Sequence, residues 1–427
     1  MKVAIAWYGA EGQSSYRYYT MRGDDVTIVT PKVATEYPIP EGAKIITGED
    51  AFDRLDDFDL VVRSANIRPD RLKTNGKVWS ATNEFFAMCP APIIGVTGTK
   101  GKGTTCSFIT SILREAGKTT HLVGNIGVAP LDVLSQVAAD DVVVFELSSF
   151  QLWDIEKSPH IAVVLMIEPD HLDVHATMQE YITAKAGIVR YQTTDDVVIC
   201  HPLNKEANGI ADQSRGRKYH YADSGLDEIY IRDNNFYRND QRICGTNAVK
   251  LKGDFNLENA CGAISAALQY TEDYQAVERG LMKFTGLPHR LKFVREVAGV
   301  KWYDDSIATT AGSAIAAMKS FQEPKVIILG GSDKGTAYDE VVTTAKYTRT
   351  QVIAIGQTGE HIAQLCQQAG VVVRRVAGGM NEVVAAASES AGDGSVVILS
   401  PASASFDQYN NYADRGNQFV EAVNRLS

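Results

Sequence analysis

Short runs of Val and Ile recur along the chain, and between them apolar residues return every three or four positions. The runs fit strands buried on both faces and the intervening segments fit helices laid over them, a pattern of parallel α/β units. The first unit reads as a strand over Lys2–Tyr8, a Gly-rich turn (Gly9-Ala10-Glu11-Gly12), a helix to about Arg22 and a strand over Asp25–Thr30. Two prolines in Pro90-Ala91-Pro92 favour extended chain and predict a linker. Beyond it come a strand Ile93–Thr97, a helix around Thr105–Ala116, strands Asp141–Glu146 and Ile161–Ile167, and a helix Met178–Arg190. Between about Lys218 and Lys250 polar residues interrupt the apolar runs, which predicts a β meander; helices near Asn256–Tyr270 and Tyr274–Phe284 follow. A third block opens near Leu287-Pro288-His289-Arg290 and carries strands Val326–Leu329, Val352–Ile355, Val371–Val373 and Val396–Leu399. The expected fold is α/β in three consecutive domains, 1–89, 90–287 and 288–427. The first and third read as Rossmann-like and the middle one as built on a mostly parallel sheet.

The length of 427 residues suits that count, at roughly 100–200 residues per domain. Forty-two basic against 52 acidic side chains leave a net charge of −10, which argues against a broad nucleic-acid-binding surface. The longest apolar runs fall far short of the ~18 residues of a membrane helix. The opening MKVAIAWYGAEG meets glycine and acid too early for a signal peptide. Six cysteines (Cys89, Cys106, Cys200, Cys244, Cys261, Cys366) form no CxxC pair, which fits reduced thiols rather than disulfides or zinc. A cytoplasmic protein without membrane insertion is expected.

Candidate chemistry concentrates first in Gly98-Thr99-Lys100-Gly101-Lys102-Gly103-Thr104-Thr105, set between a strand and a helix. Glycines let successive backbone N–H groups face one concavity, and the helix start adds partial positive charge, so the loop suits phosphate. Lys102 would reach the β- and γ-phosphates and a following hydroxyl would hold Mg²⁺. An ordinary tight turn is the plain alternative. The spacing is not G-x-x-x-x-G-K-[ST], because Val96 takes the first glycine position and Gly103 follows the lysine.

The loop resembles that of the ATP-dependent Mur ligases and the related folylpolyglutamate synthases, and the Mur resemblance continues from end to end. It is carried by Gly98–Thr105, Gly124-Asn125-Ile126-Gly127, Glu146-Leu147-Ser148-Ser149-Phe150-Gln151, Asp170-His171-Leu172-Asp173 and Lys185. Further on it rests on Asn256–Asn259, His289-Arg290-Leu291, Asp304-Asp305-Ser306, Gly330–Gly335 and LSPASASFDQYNNYADRG, Leu399–Gly416. That last stretch is similar to the D-glutamate-adding members. The resemblance implies a UDP-binding first domain, a P-loop ATPase middle domain and an amino-acid-binding third domain. The implied enzyme joins D-glutamate to UDP-N-acetylmuramoyl-L-alanine through an acyl phosphate, with ATP and Mg²⁺, as a cytoplasmic monomer in peptidoglycan precursor synthesis.

Several residues gain roles only through that resemblance. Glu146 follows four apolar residues and could simply mark a strand reaching solvent; His171 alone would ordinarily be structural. The family makes both Mg²⁺ ligands, with Thr104. Lys185 reads from the pattern as a solvated helical lysine, whereas the family implies a carbamylated side chain that helps hold Mg²⁺. Asn256 and Asn259 could be helix caps; the resemblance makes them nucleotide contacts, with Arg290 and Asp305. Lys334, Ser405, Phe406 and Tyr412 match D-glutamate-holding positions, though Ser405 and Tyr412 also fit an ordinary loop and helix start. Ser14, Ser15, Thr30, Asn125, Ser148 and Gln151 match positions that hold the UDP substrate.

The chain also departs from the family. Phe255 stands where a His is usual, Arg63-Ser64-Ala65-Asn66-Ile67 replaces a Ser-Pro-Gly-Ile turn, and Ile307 occupies the lysine position of Asp-Ser-Lys-Ala-Thr. Lys100, where relatives carry Asn, is an additional cation. Competing expectations are a folylpolyglutamate-type ligase, which normally lacks a leading domain of ~90 residues, a Mur-type ligase for another amino acid, and a non-catalytic homologue that Ile307 would suit.

Overall fold

The computed structural model describes residues 1–34, 37–222, 228–333 and 335–426. Five parallel strands, β1 (Lys2–Ala6), β2 (Asp25–Thr30), β3 (Lys44–Thr47), β4 (Leu60–Arg63) and β5 (Lys77–Ser80), form a sheet in the order β3-β2-β1-β4-β5. The order reverses between β1 and β4, the position where such sheets open a crevice at their carboxyl ends. β1 stops short of the expected Tyr8 because Trp7 adopts φ 76°, which turns the chain into the helix Ala10–Met21.

The second sheet is also wholly parallel. Its strands are β6 (Ile93–Thr97), β7 (Thr120–Gly124), β8 (Val142–Glu146), β9 (Ile161–Val164), β10 (Val197–Cys200) and β11 (Arg217–His220), in the order β11-β10-β9-β6-β8-β7. β11 pairs in parallel with β10, so residues 217–220 extend this sheet instead of opening the meander. The meander itself is β12 (Ile229–Arg232), β13 (Asn235–Arg238) and β14 (Gln241–Gly245), antiparallel throughout. The expected helix Met178–Arg190 is two segments, Met178–Lys185 and Gly187–Arg190. Gly187 lies against the carbonyl of Leu152, with no room for a side chain between them.

The third parallel system comprises β15 (Lys292–Val297), β16 (Val300–Asp304), β17 (Lys325–Gly330), β18 (Thr350–Ile355), β19 (Val373–Arg375) and β20 (Val396–Leu399), ordered β15-β16-β20-β17-β18-β19. Only β15 runs antiparallel, as a hairpin with β16. The apolar pattern misses that hairpin because Lys292, Arg295, Glu296 and Lys301 interrupt a half-exposed edge. β19 begins later than the expected Val371, after the left-handed cap Gly370.

The chain divides into two compact units, Met1–Val249 with Phe255–Phe284, and Lys250–Asp254 with Thr285–Ser427. The first contains both leading sheets and the meander, the second the third system. The central strands are apolar on both faces, as β6, β8, β17 and β20 show by complete burial, and their helices cover them. Among the described residues no helix is long and apolar enough to cross a membrane. All six cysteines are free thiols.

Candidate active site

In the first unit the loop after β6 leads straight into the helix Lys102–Glu115, which begins three residues before the expected Thr105. Gly98 (φ 151°) and Gly101 (φ 84°) supply conformations that side chains rarely adopt. A Cβ at Gly101 would also meet the Asn259 carboxamide oxygen, which would have to move aside. Lys102 curls into its own loop, donating from Nζ to the carbonyls of Gly98 (3.1 Å) and Thr99 (3.0 Å). The Thr99 hydroxyl accepts from the Glu168 N–H at 2.9 Å and lies 3.1 Å from the Tyr181 hydroxyl, so it clasps the segment after β9 to the loop. Lys100 stays exposed, its Nζ 3.4 Å from a Glu168 carboxylate oxygen. Thr104 is buried, and the buried Thr105 hydroxyl has no hydrogen-bond partner among the described residues.

Glu146 is the last residue of β8, directly beside β6, and it is buried, so it does not mark a strand running out into solvent. Lys185 corrects the residue pattern more sharply. It is only 1% exposed, donates from Nζ to the Gly98 carbonyl at 2.8 Å, and stands 4.6 Å from the centre of the Tyr181 ring. Tyr181 and Lys185 sit four apart, so one helix face carries both inward onto the loop. Burial, reinforced by the Lys102 charge, holds the Lys185 amine well below the usual lysine range, against the pull of Asp170 and Glu146. His171 is half-exposed at φ 53°, its Nε2 3.7 Å from Asp170 and its ring edge-on to Phe150 at 5.0 Å. Asn256 and Asn259 are the second and fifth residues of the helix Phe255–Ala267 and are joined by a 3.3 Å hydrogen bond.

Ser14 and Ser15 are buried one turn inside the helix Ala10–Met21, away from its open end, and Ser15 donates to the Glu11 carbonyl at 2.9 Å. The Thr30 hydroxyl ends β2 and donates to the Lys32 carbonyl at 2.9 Å. Asn125 is exposed in the turn after β7. Ser148 caps the short helix Ser149–Leu152, and Gln151 returns a carboxamide oxygen to the Ser148 N–H at 2.9 Å, a reciprocal capping box.

Two arrangements here carry no periodic signal. The Arg63 guanidinium, fully buried, grips the Asp154 carboxylate with two nitrogens and donates to the carbonyls of Ile67 (2.7 Å) and Phe150 (3.0 Å). Glu11 meanwhile accepts from the Ala65 N–H at 2.9 Å, so the unusual turn 64–67 is held from both sides. His175 is buried, 3.0 Å from the Ser149 hydroxyl, and stacks on Trp153 at 4.4 Å; burial pushes its imidazole below the usual histidine range.

In the second unit Asp305 accepts from the Leu291 N–H (3.0 Å) and the Ser400 hydroxyl (2.7 Å). Burial outweighs those bonds and the Arg290 charge, raising its carboxyl to about 7. The neighbouring Asp304 meets His289 Nδ1 at 2.7 Å. Ile307 donates its backbone N–H to the His289 carbonyl at 3.1 Å. Ser405 is buried, whereas Phe406 is exposed and Tyr412 starts the helix Tyr412–Asn424 with its ring partly exposed. Lys334 lies outside the described residues. Arg415, in the YADRG tail but not singled out by pattern, is buried; it donates to Ser306 Oγ (3.0 Å) and to the carbonyls of Ser306 (2.9 Å) and Ser403 (3.0 Å).

A strand-to-helix phosphate loop with a buried carboxylate and a buried lysine around it defines a nucleotide-using enzyme class. The family model described as the Mur ligase middle domain matches residues 96–267, and that described as the Mur ligase, glutamate ligase domain matches 289–403. The chain belongs to the Mur ligase family. It is similar over its whole length to the UDP-N-acetylmuramoylalanine--D-glutamate ligase of Symbiobacterium thermophilum, at 34% identity, covering 98% of that protein. The ligase of the same name from Clostridium tetani is 33% identical over the whole of this chain and 97% of its own. The crystal structure of the UDP-N-acetylmuramate-alanine ligase MurC from Thermotoga maritima superposes with a TM-score of 0.64 over 99% of each chain. At 16% identity that likeness speaks for the shared fold.

Proposed function

We propose that this protein is an ATP-dependent acid–amino-acid ligase that adds D-glutamate to UDP-N-acetylmuramoyl-L-alanine. It serves peptidoglycan precursor synthesis and acts as a cytoplasmic monomer with domains at 1–89, 90–287 and 288–427. The observation that carries this reading is the unbroken similarity to ligases of that name across the entire chain.

The substrate carboxylate attacks the γ-phosphorus of ATP, ADP leaves, and an acyl phosphate forms. The amine of D-glutamate then attacks the acyl carbon, phosphate leaves and an amide remains. Catalysis therefore consists of positioning and of balancing negative charge as it develops. Lys102 supplies a mobile cation to the phosphates, leaving the two loop carbonyls it now bonds. Backbone N–H groups of Gly98, Lys100, Gly101 and Gly103 cradle the anion, while those of Thr99 and Thr105 are bonded to the Met166 and Gly101 carbonyls and line the loop without donating to it.

Oxygen donors suit Mg²⁺, and the Thr104 hydroxyl and Glu146 carboxylate are such donors beside the loop. Mur ligases use ATP and Mg²⁺, and the metal neutralises phosphate charge when bound. His171 and a carbamate on Lys185 complete the proposed ligand set. The depressed basicity of Lys185 supports that modification, because only the unprotonated amine adds CO₂. Asn256, Asn259, Arg290 and Asp305 are nucleotide contacts. Ser14, Ser15, Thr30, Asn125, Ser148 and Gln151 serve the UDP substrate, and Lys334, Ser405, Phe406 and Tyr412 serve D-glutamate.

The test is ADP release measured with a panel of UDP-muramoyl acceptors and D- or L-amino acids. Turnover confined to UDP-N-acetylmuramoyl-L-alanine with D-glutamate is expected. Turnover with a folate acceptor or another amino acid would reassign the substrate, and none with any pair would leave a non-catalytic homologue, as Ile307 allows.

A further inference from the structure

At the amino ends of β17 and β18 the second unit holds a cavity of about 330 Å³ whose lining includes Lys319, Gln322, Lys325, Tyr347 and Arg349. No carboxylate lines it. Lys319 ends the helix Ala311–Lys319, Lys325 opens β17, and Arg349 sits at φ 53° in the turn before β18, so three separate elements deliver the cations. Lys325 is the unusual member. It is only 5% exposed, and among the described residues its Nζ has neither a hydrogen-bond nor an ion-pair partner. Lys319 and Arg349, both exposed at the rim, likewise have no ion-pair partner among the described residues. Glu323 is the carboxylate whose charge acts on Lys325, but it is turned to the Gln322 N–H at 3.0 Å.

The Lys325 stem is buried while its ammonium keeps access to the cavity, and a partly desolvated ammonium is stabilised by a counter-charge. Three convergent cations around one concavity match a compact anion with two or more charges. Phosphate oxygens take charge-assisted hydrogen bonds from both ammonium and guanidinium donors. The cavity lies at the opposite end of the sheet from Ser405, which follows the carboxyl end of β20. Six residues of β17 separate those ends by roughly 20 Å at ~3.3 Å per residue.

We propose that this cavity is a second binding site, separate from the ligase centre, for a small phosphate-class polyanion such as diphosphate, with Lys325 at its floor and Lys319 and Arg349 at its rim. The site does not depend on the ligase reading.

Inorganic pyrophosphate is the probe, titrated calorimetrically into the full chain carrying Lys102→Ala, which takes the principal cation out of the phosphate loop. One pyrophosphate per chain is expected. Lys325→Met, close in volume, should weaken it at least tenfold, and Lys319→Gln with Arg349→Gln several-fold. In the otherwise unaltered chain the same substitutions should leave ligase turnover and the KM for ATP unchanged. Should Lys325→Met fail to fold, the rim double variant carries the test, since both of its side chains are exposed. Absence of binding in the Lys102→Ala chain, or equal affinity in the Lys325 and rim variants, would overturn the site.

Discussion

The side-chain nitrogen of Lys185 donates to the carbonyl oxygen of Gly98 at 2.8 Å, so a buried lysine on one helix closes on the first residue of the phosphate loop. Lys185→Ala should be nearly inactive, and a short carboxylic acid at high concentration should restore part of the turnover if a carbamate is the working form. Full activity of the alanine variant in bicarbonate-depleted buffer would remove Lys185 from the mechanism.

Burial also sets a stability expectation for the same residue. The folded pKa lies below the unfolded one, so the unfolded chain binds more protons between the two values and folding is penalised there. The penalty disappears as pH rises toward the ordinary lysine range. Lys185→Met should therefore keep or raise the melting temperature at neutral pH while losing activity, which thermal melts alongside ADP assays will read.

Lys102→Ala should abolish ADP formation and leave the fold intact, because its two bonds are to carbonyls at the open end of a helix and not to the core. Circular dichroism checks the fold. Retention of more than about a tenth of turnover, roughly 1.4 kcal/mol in barrier terms, would count against the assignment.

Asp305 titrates from the ordinary carboxylate value in the unfolded chain to about 7 when folded. Its folded pKa is raised, so the native state holds the extra proton and stability falls as pH rises from about 4 to about 7. Asp305→Asn should flatten that part of the stability profile, measured by denaturant unfolding at each pH. An unchanged slope would show that the carboxyl is ionised throughout.

The pair Arg63–Asp154 is asymmetric, the guanidinium fully buried and the carboxylate partly open. Removing the carboxylate strands a buried charge, so Asp154→Ala should cost about 3 kcal/mol, more than Arg63→Met. The double variant should cost less than the sum. Because Arg63 also holds the turn 64–67, both single variants should raise KM for the UDP substrate more than KM for ATP.

Strand ends were legible in the chain because apolar runs stop abruptly: Phe145-Glu146 and Val96-Thr97 mark the carboxyl ends of β8 and β6, where the structure places them. The inward turn of Lys185 was not, since a helix heptad does not say which face of a mixed sequence meets the core. Residues 292–304 hid a hairpin because an edge strand can alternate charge with half-buried apolar groups and leave no run to see. Arg63 and Arg415 were invisible for another reason. Their partners are carbonyls, a hydroxyl and a carboxylate distant in sequence, contacts that no local spacing encodes.

Gly101 and Asn259 are 158 positions apart in sequence, yet the carboxamide oxygen of one occupies the volume that a side chain on the other would need. Any L-residue at 101 meets both an unfavourable φ of 84° and an occupied space, while shortening Asn259 alone opens a gap beneath the loop. Moving the Asn259 carboxamide aside would relieve the contact but not the backbone conformation, so position 101 stays glycine on its φ alone.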